Sequence, residues 1–415
     1  NMSILAFFLY FADIINFRKI FMKKTLICLA LARLLTACGG SDNDRTEGSS
    51  PVPPTAPVGT ETGVLTDGII SGVTYITSSG AEGVTNEKGE FKFNDGEKVK
   101  FLIGDVQLGQ EIEAKERVRP SDLAQTEIAR TNLMVFLQSL DTDSNHDNGI
   151  SISTEAANAL LNQSLDFSKA PTAFATDVVS TGVVTTEKLI TPEKAAGNFQ
   201  STFYKDIAGT WEIGRNANSA VLIHILEDGR YALGQAEAAD GDGTPGIETG
   251  ELNWNATTSV ISPRIIQDSN GEWGLSDPAK GKPYTLNYDG TTLILTEPGI
   301  NTEYRLSRVK QSANGLVGAW RFSDTHLFAF FDTNYYFFLD TEGGDDCGWP
   351  GIEYGKFTLS GNTLTTTEVL FDTNECGGLQ DSSDGSKTIA NINVSAETLI
   401  LHPQGEGPVT LQRVR

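Results

Sequence analysis

Pro245-Gly246-Ile247-Glu248-Thr249-Gly250 returns further along the chain as Pro350-Gly351-Ile352-Glu353-Tyr354-Gly355. The landmarks around it return in the same order. Gly209-Thr210-Trp211 precedes the first occurrence and Gly318-Ala319-Trp320 the second. Asp268-Ser269-Asn270 and Asp372-Thr373-Asn374 follow, then Thr292-Leu293-Ile294-Leu295 and Thr398-Leu399-Ile400-Leu401, and last Arg308-Val309 and Arg413-Val414. Shared landmarks in one order mean a duplication. Each copy has about one hundred residues, longer than a solenoid unit and enough for its own core. Each reads as about eight short strands joined by Gly, Asn and Asp turns, which predicts an antiparallel up-and-down β-barrel. Closing a barrel removes the sheet edges through which strands aggregate.

Gly-x-Trp on the first strand with an Arg on the last resembles the lipocalin and wider calycin pattern. The resemblance implies that the Arg stacks on the Trp and closes one end of the barrel. Carried over, Trp211 would meet Arg308 and Trp320 would meet Arg413. Aromatics crowd Leu327-Phe328-Ala329-Phe330-Phe331 and Tyr335-Tyr336-Phe337-Phe338-Leu339. They read as two paired strands filling a small barrel; the alternative is a lining for an apolar ligand.

Upstream of the copies, residues 61–118 alternate in short β-rich runs such as Val73-Thr74-Tyr75-Ile76 and Val99-Lys100-Phe101-Leu102-Ile103. The pattern Gly83-x-Thr85-x-x-x-Gly89-x-Phe91 resembles transthyretin-like β-sandwich modules of surface proteins. That implies a β-sandwich used for spacing or adhesion. Pro120-Ser121-Asp122 opens a helix, capped by Ser121 or Asp122, with Ala129, Leu133, Phe136, Leu137 and Leu140 on one face.

That helix runs into Asp141-Thr142-Asp143-Ser144-Asn145-His146-Asp147-Asn148-Gly149-Ile150, and a second short helix follows from about Thr154 to Leu161. Residues 119–165 thus read as a small helical hairpin around an acidic loop, which resembles an EF-hand. Asp141, Asp143, Asn145 and Asp147 offer hard oxygens at alternate positions, which suits calcium. Asn148 stands at the turn glycine's place and Thr154 at that of the bidentate Glu. The alternative is a polar turn whose side chains bond their own backbone. Residues 166–205 read as a linker, Leu165 to Thr191, followed by a helix from Pro192 to Lys205 that packs Ala196, Phe199 and Phe203.

Met22-Lys23-Lys24-Thr25, an apolar run from Leu26 to Leu35, and Leu35-Thr36-Ala37-Cys38 read as a secretory signal too short to span a membrane. Its end resembles the lipobox of bacterial lipoproteins, which implies lipidation of Cys38. Residues 1–37 are then an upstream extension plus signal peptide, with Met22 as the start. Residues 38–60 form a flexible tether rich in Ser, Asp, Gly and Pro. Gly39 after the Cys, by that resemblance, favours the outer membrane, facing periplasm or cell surface. The partner so implied is the membrane, through a lipid anchor.

The chain carries a formal charge of −23. From Cys38 onward, 26 basic residues stand against 53 acidic ones, or −27. Such a surface repels phosphate backbones, which argues against nucleic acid as a partner. Of the four Cys, Cys28 leaves with the signal and Cys38 takes the lipid, so Cys347 and Cys376 are expected to pair in an oxidising compartment. Aligning the copies sets Cys347 opposite Asp242 and Cys376 opposite Glu272. Where the second copy has a disulfide, the first then brings Asp242 and Glu272 together, with Asp240, Asp268 and Asn270 close by. This oxygen set suits a second calcium staple; the alternative is that the loops are solvated and splay apart.

No His pair at metal spacing, nucleophile elbow or phosphate-cradling Gly loop occurs. The expected class is a mainly β, non-enzymatic surface or periplasmic lipoprotein. Residues 206–310 and 315–415 are its barrels, binding an unknown small ligand or surface partner. A purely structural or assembly lipoprotein and an envelope polysaccharide hydrolase are the alternatives.

Overall fold

A computed structural model describes residues 59–276, 283–297, 299, 302–324, 326–343, 348–381 and 385–414. The signal, Cys38 and nearly all of the tether lie outside them. No helix among the described residues is long and apolar enough to cross a membrane.

The chain is mainly β. Residues 61–118 form two small sheets. One runs Glu82–Val84, Thr74–Thr77, Lys98–Ile103, Val106–Gln107, with Ile112–Glu113 also paired to Lys98–Ile103. The other runs Glu90–Phe93, Glu61–Leu65, Arg117–Val118. The alternation seen in the sequence buries Tyr75, Phe91, Phe93, Val99, Phe101 and Ile103 in one core. There the Phe91 ring meets Phe101 edge-on at 5.1 Å.

The helix expected to open at Pro120 is in two pieces. Pro120–Leu123 makes one turn, and a second helix, Glu127–Ser139, starts from Thr126. Thr126, not Ser121 or Asp122, caps the long one, accepting the Ala129 N–H at 3.2 Å. Leu133, Phe136, Leu137 and Leu140 then face the same core. The span 165–191, expected as linker, contains the helix Pro171–Ser180. Proline sits at its first position, and Phe174 and Val178, one turn apart, are its buried residues. That is too little periodicity to stand out in the sequence. The last helix, Pro192–Ile207, buries Ala195, Phe199 and Phe203.

Each copy contributes eight strands to its main sheet in the same up-and-down order, the second adding the small pair Gln380–Asp381 and Ser386–Lys387, yet only the second closes as a continuous ladder. Its barrel runs from Gly318–Arg321 round to Val409–Val414, which pairs back on Gly318–Arg321. The first is an eight-stranded sheet ending at Arg264–Asp268 on one side and Thr285–Tyr288 on the other. Two closed barrels were expected; one barrel and one half-barrel are found. The difference lies at one seam. In the second copy Thr363–Asp372 is a single long strand whose first residues, Thr363, Leu364 and Thr365, pair with Asn391, Ala390 and Ile389. In the first copy Pro263, which has no N–H to give, precedes Arg264–Asp268, and Asn253 and Ser259 hold positive φ. Among the described residues, the strand pairing across that seam is the isolated bridge Val260↔Thr285.

Trp254 fills the irregular stretch beside it. Its ring stacks on Phe203 at 3.9 Å and its indole N–H donates to the Leu286 carbonyl at 2.9 Å.

The two copies share a packed boundary. Strands Arg230–Glu237 and Gly246–Glu251 meet Tyr335–Asp340 and Gly351–Ser360 there. Leu222, Ala236 and Ile247 of the first copy join Phe331, Phe337, Leu339 and Ile352 of the second in one cluster. Phe328, Phe330, Tyr336 and Phe338, alternating with them, face the barrel interior. The unbroken aromatic runs are thus strands buried on both faces, one face filling the lumen and the other cementing the copies.

Candidate functional site

The two copies keep the same buried clamp. Glu248 accepts hydrogen bonds from the Tyr231 hydroxyl at 2.6 Å and from the backbone N–H groups of Leu275 and Ser276 at 3.1 and 2.8 Å. Glu353 accepts from the Tyr336 hydroxyl at 2.7 Å and from the N–H groups of Leu379 and Gln380 at 2.7 and 3.0 Å. Each Glu therefore ties the loop after the fifth strand of its copy across the end of the sheet. Burial outweighs these donors and pushes the Glu353 carboxyl up to about 7. Asp372, directly across the ladder from Glu353, adds to the rise.

Above the clamp, the described residues of the second barrel leave a recess at its end. A cavity of about 660 Å³ lies at this end. Its wall is apolar toward the lumen, with Phe328, Phe338, Leu379, Leu401 and Leu411, and polar at the rim. Phe328 and Phe338 stack at 4.4 Å, which offers a flat aromatic surface. Phe322, 60% exposed, stands at the mouth.

His326 and Asp340 form the rim's ordered polar pair. They face each other across one hairpin, with Nε2 to Oδ2 at 3.4 Å. The buried Asp340 carboxylate also accepts the N–H groups of Glu342 and Gly343 at 2.9 and 2.8 Å. The hydrogen bond to Asp340 holds the His326 ring above its usual pKa, and these donors hold Asp340 below its own despite burial. Nδ1 of His326 lies 3.1 Å from the Ser323 hydroxyl. The scattered histidines of the sequence gave no hint of this pair. Its signal was the register: Phe330 opposite Tyr336 puts His326 opposite Asp340.

The first copy fills the equivalent space itself. Aligned on Asp-x-Asn, Trp273 stands where Gly377 does, and aligned on Pro-Gly-Ile-Glu, Gly243 stands where Gly348 does. Trp273 is 2% exposed, and a Cβ on Gly243 would sit 2.4 Å from its ring, so the indole lies flat on that backbone. Gly348 and Gly377 line the cavity of the second copy. The His326–Asp340 pair becomes Val221 opposite Gln235.

The Arg308 guanidinium lies 4.2 Å over Trp211 and that of Arg413 lies 3.9 Å over Trp320. Each pair is also in direct strand register. In the acidic loop, Asp143 accepts the Asn145 N–H and the Asn148 side-chain amide, both at 2.9 Å, and Asp147 pairs with Lys205 at 2.6 Å. Asp141 accepts the Ser151 N–H at 3.0 Å; its other oxygen is buried with His146 Nδ1 3.7 Å away.

In the first copy Glu272 and Asp242 are adjacent, the Glu272 N–H donating to the Asp242 carbonyl at 2.8 Å. Asp240 turns on its own loop, accepting the Asp242 and Gly243 N–H groups at 2.8 Å. Asp268 likewise accepts the N–H of Asn270, whose own amide is fully buried. Among the described residues no group of three or more His, Cys, Asp or Glu could hold a metal ion. Cys376 is disulfide-bonded, and its expected partner, Cys347, lies outside the described residues. The neighbouring bridge Gly348↔Glu375 repeats Gly243↔Gly271 of the first copy.

No protein-family model matches the chain, and no curated protein matches it.

Proposed function

We propose that the protein is an exported, lipid-anchored binding module whose ligand seat is the open end of the second barrel. The observation that carries this is the contrast between the copies. One end is filled by Trp273, while its counterpart keeps Gly377 and a cavity of about 660 Å³ with a stacked Phe pair below and His326–Asp340 at the rim. An apolar wall with a few fixed polar groups is what small-ligand sites are made of. Nothing in this reading requires bond-breaking chemistry. Glu353 and Asp372 face each other in the ladder, but neither lines the cavity.

The first copy and the 61–118 module, read as a transthyretin-like sandwich, serve as the rigid mount. The acyl chains on Cys38 hold it at the outer membrane, and several chains give a stable anchor where one does not. Calcium enters as a stiffening ion for the Asp141 loop, on the strength of its Asp and Asn oxygens at alternate positions.

Three measurements test the reading. Expression from Met22 with labelled palmitate should mark the protein, and Cys38→Ala should lose both label and membrane retention. Melting of the full chain against a panel of small amphiphiles should show stabilisation that Phe338→Ala removes; a panel with no effect would exclude the ligand seat. Raising calcium to millimolar should raise the melting temperature, and Asp141→Asn should cancel the rise.

A further inference from the structure

The first copy carries, in its own side chain, the shape of what the second copy lacks. The Trp273 indole lies on the Gly243 backbone with Leu275 buried beside it. The second copy keeps the backbone of that seat, Gly348, and the neighbouring Leu379, but has no side chain at 377. A Cβ on Gly377 would sit 2.4 Å from the buried Asn374 side-chain amide and 3.4 Å from the Phe338 ring, so a group at that position meets both Asn374 and the lumen wall. We propose that the second barrel binds a small molecule with a planar, indole-sized aromatic group, seated between Gly348 and Gly377 where Trp273 sits in the first copy.

This rests on the ligand seat proposed above and adds the chemical class of its occupant. The stacked Phe328–Phe338 pair supplies an aromatic surface at the depth such a ring reaches. The rim sets the sign of the rest of the molecule. Asp340, Asp381 and Glu406 line it against Lys387 and His326, in a chain of net charge −23. A ring carrying an ammonium group is therefore favoured, and one carrying a carboxylate disfavoured, by about tenfold each way relative to the neutral ring at low salt.

The test is calorimetry on the full chain with tryptamine, indole and indole-3-acetate, and with octyl maltoside as a ringless amphiphile. The expected order is tryptamine, then indole, then indole-3-acetate, at one site per chain. Gly377→Trp rebuilds the first copy's plug and, with the Asn374 amide moved aside, should weaken tryptamine at least tenfold. In the first copy Trp273 and Asn270 are both buried in the equivalent loop. If that variant does not fold, Gly377→Leu gives the same reading with a smaller plug. Tryptamine binding that ignores both variants, or indole-3-acetate binding as tightly as tryptamine, would overturn the proposal. Octyl maltoside binding blocked by Gly377→Trp, with no binding of any indole, would sink the aromatic class but keep the seat. No binding of any probe would remove both.

Discussion

The guanidinium of Arg413 lies 3.9 Å over the indole of Trp320 while its N–H groups donate to the carbonyls of Ala396, at 2.6 Å, and Gly315, at 3.0 Å. One side chain thus joins the first and last strands, the turn before the last hairpin and the segment that enters the barrel. Arg308 does the same over Trp211, donating to the carbonyls of Ala208 and Asp206, both at 2.8 Å. Lysine cannot reproduce a planar fork that stacks and donates at once. Arg413→Lys should therefore cost about 1–3 kcal/mol, from one cation–π contact and the lost hydrogen bonds. Urea unfolding checks it. A variant as stable as the parent would mean that the strand pairing alone closes the barrel.

At Gly234 the copies pack closely. A Cβ there would sit 2.7 Å from the Phe337 ring and 2.9 Å from the Ile352 side chain. Any side chain at 234 must push the second copy away or bend the strand. Gly234→Val is expected to cost about 1–3 kcal/mol, the usual effect of overfilling a packed core. Phe337→Ala should cost about 3–5 kcal/mol by emptying the same boundary. Both variants should lower the unfolding midpoint of a single transition. Two separated transitions in the parent would show instead that the copies fold independently.

Reduction tests the loop beside the cavity. Cys376 is disulfide-bonded, and the expected partner is Cys347. The loop so closed has about thirty residues, worth roughly 3–4 kcal/mol in the chain-entropy model. Cys376→Ser should lose about that much and should loosen the wall in which Gly377 and Leu379 sit. Non-reducing peptide mapping that finds the two cysteines in separate peptides would dismiss the pairing.

The duplication and the strand count were legible because turn residues and apolar alternation mark every strand. Trp211, Arg308, Trp320 and Arg413 were legible because each lies on a landmark shared by the copies. The half-barrel was not. Pro263 stood in plain view, but reading it as a gap in the ladder required knowing that the residues before Arg264 face Thr285 across the seam. The double role of the aromatic runs was hidden as well, since a strand filling a lumen and a strand buried on both faces spell the same continuous apolar stretch. The cavity depends on a difference at one aligned position, Trp273 against Gly377. Its meaning appears only once Gly243 and Gly348 are known to lie across from them. The acidic loop read as ligands because Asp and Asn serve calcium and tight turns equally well, and composition does not separate the two.

Glu353 links the clamp to pH. Burial pushes its carboxyl up to about 7, against 4.5 for a free glutamate, with Asp372 across the ladder adding to the rise. A folded-state pKa above the unfolded one means that the native protein holds this proton more tightly. The group's favourable contribution is therefore complete below about pH 4.5 and is lost as pH rises to about 7. A separation of that size corresponds to about 3 kcal/mol, as an order of magnitude. Glutamine cannot ionise, but it sets an amide N–H₂ against the backbone donors that a carboxylate accepts from. Glu353→Gln should therefore be less stable than the parent at pH 4.5, and the gap should narrow by up to about 3 kcal/mol by pH 8. Glu248 and Glu212, also raised, and His224, lowered, titrate in both proteins and cancel in the difference. Urea midpoints of the pair at pH 4.5, 6 and 8 measure it. A gap constant across that range would show that Glu353 stays ionised throughout, held by Tyr336 and the two backbone donors.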